Sequence, residues 1–168
     1  MSSIKVFLDT NVLIDILSAQ ERPSTYYAER IFQEIRDFRM EGVVTIQSIV
    51  DASYVFRHDN ASLDLFRDKI LQIRNYVNVE PLDYFDLQEA LFSGQSDFED
   101  ELQCCHADSA GCDYFITSDR KLKNRHTKTG MQICTPEEFV RMMREMPLEQ
   151  RPAHSLTPER RREPYRAK

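Results

Sequence analysis

Five aspartates have the side-chain type and the positions expected of one shared acidic site. Asp9 directly follows the first apolar run, where an unpaired carboxylate is costly to bury. Asp51 and Asp119 come shortly after two later apolar runs. Asp97 and Asp100 begin a predicted helix, and their i,i+3 spacing places them on one face. Crowded carboxylates repel one another unless a cation compensates them, so the pattern predicts a site for Mg²⁺ or Mn²⁺.

The basic residues are segregated from this acidic region. No Lys or Arg lies between Arg74 and Arg120, a stretch that contains eleven acidic residues. A strip without acids follows, and its cations include Arg120, Lys121, Lys123 and Arg125. A metal at the scissile phosphate with cations beside it suits a phosphodiester substrate. The individual features also have structural interpretations: a solvated loop for the strip, and helix-terminal or solvated acids for several of the aspartates.

Strand and helix patterns alternate along the chain, and these elements must position the acids. The predicted strands are 4–8, 43–46, 77–79, 114–117 and 131–134. One intervening helix is predicted to end at Gly42, and another to span residues 62–77. The alternation predicts an α/β fold with a mainly parallel five-stranded sheet covered on both faces. Because sites in such sheets form at the carboxyl ends of the strands, the acids would share one rim.

Length and composition indicate one soluble domain with a tail. The 168 residues are 41% hydrophobic and carry a formal net charge of −6, which argues against a general nucleic-acid coating protein. Residues 1–146 are expected to form the domain, and the Pro- and Arg-rich residues 147–168 an irregular tail. No secretory signal or membrane span is evident, and the four cysteines form no CxxC pair. We therefore expect a cytoplasmic protein with reduced thiols.

Motifs for several other chemistries are missing from the sequence. The four glycines are too far apart for a phosphate-binding loop, and the four histidines lack metal-ligand spacing. No Gly-x-Ser-x-Gly elbow is present. Carboxylates are thus the abundant reactive side chains.

Four segments, in the right order over residues 4–143, resemble motifs of the PIN-domain family. These segments are Val6–Asp15, Asp97–Gln103, Tyr114–Asp119 and Cys134–Phe139. The likeness is closest to the branch of VapC-like toxins from bacterial toxin–antitoxin pairs. It implies a three-layer α/β/α sandwich and a ribonuclease that depends on Mg²⁺ or Mn²⁺. It also implies RNA as substrate, a small antitoxin as partner, and a homodimer.

The resemblance also implies roles for individual residues. The implied catalytic carboxylates are Asp9, Asp51, Asp100 and Asp119, and the implied metal ligands are Asp9, Asp97, Asp100 and Asp119. Asn11 and Thr117 would orient the site, and the basic strip would bind RNA. Asp51 stands where the family usually has Glu, so this position departs from the common pattern.

Two other functions stay open on the sequence. The first is a non-catalytic PIN-like module that binds RNA or protein, and the shorter Asp51 favours it. The second is a carboxylate phosphatase or a receiver-like signalling domain. Asp9-Thr10-Asn11 lacks the second Asp of the Asp-x-Asp phosphatase pattern, so we expect the nuclease instead.

Overall fold

Strands and helices alternate in the computed structural model, which describes residues 3–18, 23–58, 62–93, 97–124 and 127–146. The strands are β1 (Lys5–Leu8), β2 (Glu41–Thr45), β3 (Val77–Glu80), β4 (Tyr114–Ile116) and β5 (Gln132–Cys134). The α-helices are α1 (Thr10–Leu17), α2 (Pro23–Arg36), α3 (Ile46–His58), α4 (Leu63–Ile73), α5 (Tyr84–Phe92), α6 (Phe98–Ser109) and α7 (Pro136–Glu145). A 3₁₀ helix over Arg120–Asn124 lies between β4 and β5.

The five strands form one parallel sheet in the order β3-β2-β1-β4-β5. The predicted α/β fold with a five-stranded sheet is therefore confirmed, and the sheet is parallel throughout. In the central strand β1, Phe7 lies opposite Val43 of β2 and Phe115 of β4. Strands β2 and β3 lie on one side of β1, and the later strands β4 and β5 lie on its other side. The direction in which strands are added to the sheet therefore reverses between β1 and β4. A crevice at the carboxyl ends of two such strands is the usual binding place in open α/β sheets.

Helices cover both faces of the sheet because successive strand residues point to opposite sides. Val6 and Leu8 are fully buried in the larger core, which includes side chains of α1, α2 and α7. Phe7 points the other way, into a smaller core with Ala107 of α6. There its ring stacks on Phe115, with ring centroids 5.1 Å apart. The result is the expected three-layer α/β/α arrangement.

Two predicted helix ends differ from the structure. Gly42 lies within β2 and does not end α2, which stops earlier, where the chain turns through Phe38 at a left-handed φ of 58°. A Cβ atom on Gly42 would lie 2.7 Å from Ile35 Cδ1, so a side chain there would force the buried Ile35 side chain to move. Val77 begins β3 and is not part of α4, although its apolar spacing continues the helical pattern.

Some sequence predictions concern residues that lie outside the described ranges. These are the tail over 147–168, Arg125, and the side chain of Lys123. The boundary of the predicted domain at residue 146 therefore stays a prediction. Within the ranges that are described, no helix combines the length and apolar character needed to cross a membrane.

Candidate active site

The carboxyl ends of β1 and β4 bring two predicted aspartates together. Asp9 follows β1, and its backbone N–H donates to the Ile116 carbonyl at the end of β4 (3.0 Å). The Thr117 hydroxyl donates to Asp9 Oδ2 (2.7 Å) and accepts a hydrogen bond from the backbone N–H of Asp119 (3.0 Å). Thr117 is itself buried. One rigid hydroxyl therefore fixes the positions of Asp9 and Asp119 relative to each other.

Asp9 is a buried carboxylate with few compensating contacts. Its side chain is 1% exposed, and this burial is the main reason why its pKa lies above the usual value. Hydrogen bonds from Thr117, the Thr10 backbone and the exposed Asn11 oppose the increase, while the charge of Asp119 adds to it. The ionised form of Asp9 is therefore held at a cost in free energy that a nearby cation would offset.

The first turn of α6 contributes more carboxylates to the same edge of the sheet. This helix leads back to the start of a parallel strand, so its N-terminus lies at the carboxyl ends of the strands. Asp97 caps the helix and accepts from the backbone N–H of Asp100 (3.4 Å). Burial, followed by the charges of Asp9, Asp97, Asp119 and Glu99, raises the pKa of Asp100 to about 7. The predicted residues Asp9, Asp97, Asp100 and Asp119 thus interact electrostatically.

Asp51 lies beside Glu99, an acid that the sequence analysis did not assign to the site. Asp51 belongs to α3, which begins directly after β2. Burial raises the pKa of Glu99, and the largest contribution after burial comes from the charge of Asp51, followed by Asp9 and Asp97. Its position in the sequence could have identified Glu99 as a site residue, because it shares the first turn of α6 with Asp97 and Asp100.

These six carboxylates, which we call the acidic cluster, have no cationic partner in the described residues. The cluster consists of Asp9, Asp51, Asp97, Glu99, Asp100 and Asp119. No described Lys or Arg forms an ion pair with any of its members. In the same ranges, no three His, Cys, Asp or Glu side chains are already arranged as metal ligands. Oxygen donors with uncompensated repulsion fit a hard divalent cation, which would draw them together.

The described part of the basic strip lies directly beside the acidic cluster. Arg120 and Lys121 are exposed in the 3₁₀ helix that follows Asp119. The Lys121 backbone N–H donates to Asp119 Oδ1 (2.8 Å), which holds this helix against the cluster. Two positive side chains are therefore available to solvent next to the acids.

Comparisons with known proteins bear on the family and the fold of this chain. A family model described as PIN domain matches residues 5–121. The solved structure of VapC20 from Mycobacterium tuberculosis, a sarcin–ricin loop cleaving toxin, is similar with a TM-score of 0.59 and 11% identity, covering 74% of this chain and 97% of that chain. The solved structure of VapBC2 from Rickettsia felis, bound to a DNA fragment from its promoter, is similar with a TM-score of 0.57 and 11% identity. The match covers 79% of this chain and 98% of that chain. No curated protein sequence matches.

Proposed function

Because this chain belongs to the PIN-domain family, we propose that it is an endoribonuclease that uses Mg²⁺ or Mn²⁺ to hydrolyse RNA phosphodiester bonds. The observation that carries the proposal is the acidic cluster at the carboxyl ends of β1 and β4. Its central member, Asp100, has its pKa raised to about 7 by burial and by neighbouring carboxylates. Such a group loses its proton readily when a divalent cation binds.

The proposed ligands of the cation are Asp9, Asp97, Asp100 and Asp119, with Asp51 acting in support of the catalytic set. A bound divalent cation lowers the pKa of a water molecule and neutralises negative charge at the scissile phosphate. The chain's own contribution is to keep the acids oriented. Thr117 and Asn11 do this by hydrogen bonding to Asp9.

RNA is proposed to lie across the acidic cluster with its flanking phosphates on the basic strip. Arg120 and Lys121 are the described cations of this strip, and Lys123 and Arg125 are proposed to extend it. Cations at these positions act through the phosphate backbone and are insensitive to base sequence. They are therefore expected to contribute to affinity without selecting the cleavage site.

We propose that the biological role is that of the toxin in a bacterial toxin–antitoxin pair. Among the similar structures, one is described as a sarcin–ricin loop cleaving toxin, and another is VapBC2 bound to a DNA fragment from its promoter. On this proposal the chain acts in the cytoplasm, forms a homodimer, and is inhibited by a small antitoxin that docks near the acidic cluster. A short open reading frame adjacent to the gene would support the antitoxin.

The test is incubation with total RNA. Total RNA is incubated with wild-type protein and Mn²⁺, with wild-type protein and EDTA, and with the Asp100→Asn variant and Mn²⁺. The ends of any cleaved RNA are then mapped. We expect discrete cleavage that requires Mn²⁺ and is lost in the variant, because the variant removes a proposed ligand but keeps the side-chain shape. Cleavage that persists in EDTA, or at full rate in Asp100→Asn, would overturn the proposal.

A non-catalytic binding module is the second candidate, and the environment of Asp51 favours it. One of its oxygens is already engaged by Gln47, and its side chain is shorter than the Glu that the family usually has at this position. Calorimetric titration with Mn²⁺ near neutral pH distinguishes the two functions. A saturable site supports the enzyme, while no binding, together with retained RNA affinity, supports the module.

A further inference from the structure

Asp51 is the member of the acidic cluster that α3 contributes, and it is poorly placed to bind a cation by itself. Gln47 Nε2 donates to Asp51 Oδ1 at 2.8 Å, so one carboxylate oxygen is engaged within α3. Asp51 Oδ2 is buried and has no hydrogen-bond partner among the described residues. A buried acceptor without a donor is costly, so this oxygen has unused capacity for a proton or a cation.

Glu99 is the carboxylate that connects Asp51 with the other acids. Its carboxyl group lies within hydrogen-bonding reach of Asp51, and it also senses the charges of Asp9 and Asp97. Glu99 is among the charges that act on Asp100 as well. Two ionised carboxylates are both acceptors, so neither satisfies the other without a proton or a cation between them.

A buried amide holds Glu99 in this position. Gln103 is 1% exposed and lies one turn after Glu99 on α6. Its Nε2 donates to Glu99 Oε1 (3.1 Å) and to Thr10 Oγ1 (3.0 Å), next to Asp9. Its Oε1 accepts from the Ser48 hydroxyl (3.2 Å) in the first turn of α3. These three bonds determine the orientation of the amide and connect the first turns of α1, α3 and α6.

The hydroxyl of Ser48 extends this connection to the sheet. It lies 2.8 Å from Thr45 Oγ1 at the end of β2, and the Ser48 backbone N–H donates to the same oxygen (3.0 Å). Both residues are fully buried. The amide of Gln103 is therefore anchored to rigid elements, and it can transmit their position to the partly exposed Glu99 side chain.

We propose that Glu99 is a further metal-facing carboxylate of the site, paired with Asp51, and that Gln103 is the positioning residue that sets the Glu99 side chain. This inference rests on the proposed function, because it assigns a residue to the same cation. Glu99 and Asp51 together provide the carboxylate oxygens on the α3 side of the acidic cluster. Asp51 alone has only one oxygen that is not engaged.

Calorimetric titration of the full-length protein with Mn²⁺ tests the proposal without any measurement of activity. Glu99→Gln is expected to weaken Mn²⁺ binding about 10-fold or more, as loss of a group that holds or orients a metal does. Glu99→Asp keeps the charge but shortens the side chain, so it should also weaken binding. Glu137→Gln is the matched control, because Glu137 occupies the same second position of a helix, α7, and is exposed. It should bind like the wild type.

A double-mutant cycle separates the positioning role of Gln103 from a merely structural one. Gln103→Leu should weaken Mn²⁺ binding in the wild-type background but have little further effect once Glu99 is Gln. Circular dichroism and thermal unfolding in EDTA establish that each variant is folded. An equal loss from Gln103→Leu in both backgrounds would overturn the positioning role.

The outcomes also separate this inference from the proposed function. If wild type binds Mn²⁺ and Glu99→Gln binds it equally well, the assignment of Glu99 is wrong while the metal site stands. If wild type itself shows no saturable Mn²⁺ binding, the proposed function and this inference both fail. Weakened binding in Glu99→Gln and Glu99→Asp, with unchanged binding in Glu137→Gln, supports the assignment.

Discussion

Replacing Asp100 by Asn should stabilise the metal-free protein at alkaline pH while destroying its metal site. Burial and the charges of Asp9, Asp97, Asp119 and Glu99 raise the pKa of Asp100 to about 7. The folded state therefore binds this proton more tightly than the unfolded chain does. The stability contributed by the group is fully present below its ordinary pKa near 3.8 and is lost as the pH rises through about 7.

The magnitude follows from the size of this pKa difference. A pKa difference of about three between the folded and unfolded states corresponds to roughly 4 kcal/mol between the protonated and ionised forms of Asp100. Because Asp100 is only half-buried, solvent screens part of this interaction, and we expect about 1–2 kcal/mol in the free energy of unfolding. For a domain of this size, that change raises Tm by about 3–6 °C.

The assay is thermal unfolding in EDTA at low ionic strength, at pH 8 and at pH 5. At pH 8 Asp100→Asn should unfold at the higher temperature, because it lacks the repelled charge. At pH 5 the difference should shrink, because the wild-type side chain is then mostly protonated. Added Mn²⁺ should reverse the order at pH 8, since only the wild type gains binding energy from the metal.

Asp68→Asn is the matched control for this experiment. Asp68 is an exposed aspartate within α4, far along the chain from the acidic cluster, so its replacement should change stability by less than about 0.5 kcal/mol at either pH. The reasoning is refuted if Asp100→Asn is less stable than wild type in EDTA at pH 8. A stabilisation that is equal at pH 5 and pH 8 would also refute it, because repulsion of an ionised carboxylate cannot then be the cause.

Three further predictions follow from other contacts. Thr117→Val keeps the side-chain shape but removes the donor to Asp9 Oδ2, so Mn²⁺ affinity should fall about 10- to 100-fold by calorimetry, and unchanged affinity would contradict the orienting role. Gly42→Ala places a Cβ 2.7 Å from Ile35 Cδ1, so urea unfolding should show a loss of about 1–3 kcal/mol. Burial acts to raise the pKa of Asp86, but hydrogen bonds from its neighbours, including His106, outweigh burial, so the net pKa is below the ordinary value of 3.8. The stability that Asp86 contributes is therefore present above pH 3.8 and is lost as the pH falls further. Asp86→Asn should therefore flatten the acid side of the stability–pH curve, and an unchanged slope there would contradict this assignment.

Several features of this protein were determined by short stretches of sequence. The apolar run that ends at Asp9 predicts both a buried strand and a carboxylate at its carboxyl end, and the structure has both. Thr135-Pro136-Glu137-Glu138 predicts a capped helix, and Thr135 and Glu138 form the reciprocal capping bonds. Such features depend on residues within a few positions of one another, so a single sequence contains enough information to predict them.

The tertiary structure decided the features that depend on residues far apart in the chain. Val77 fits both the helical pattern before it and the predicted strand after it, and pairing with Gly42 of β2 places it in the strand. Glu99 is one acid among many in its stretch, and only the fold brings the first turn of α6 to Asp51 of α3. Gln103 bonds to residues 93 and 55 positions away, and no local pattern predicts such a contact. Sequence periodicity thus determined the elements and which acids follow the strands. Long-range packing alone decided which carboxylates face one another, because that depends on how separate elements dock.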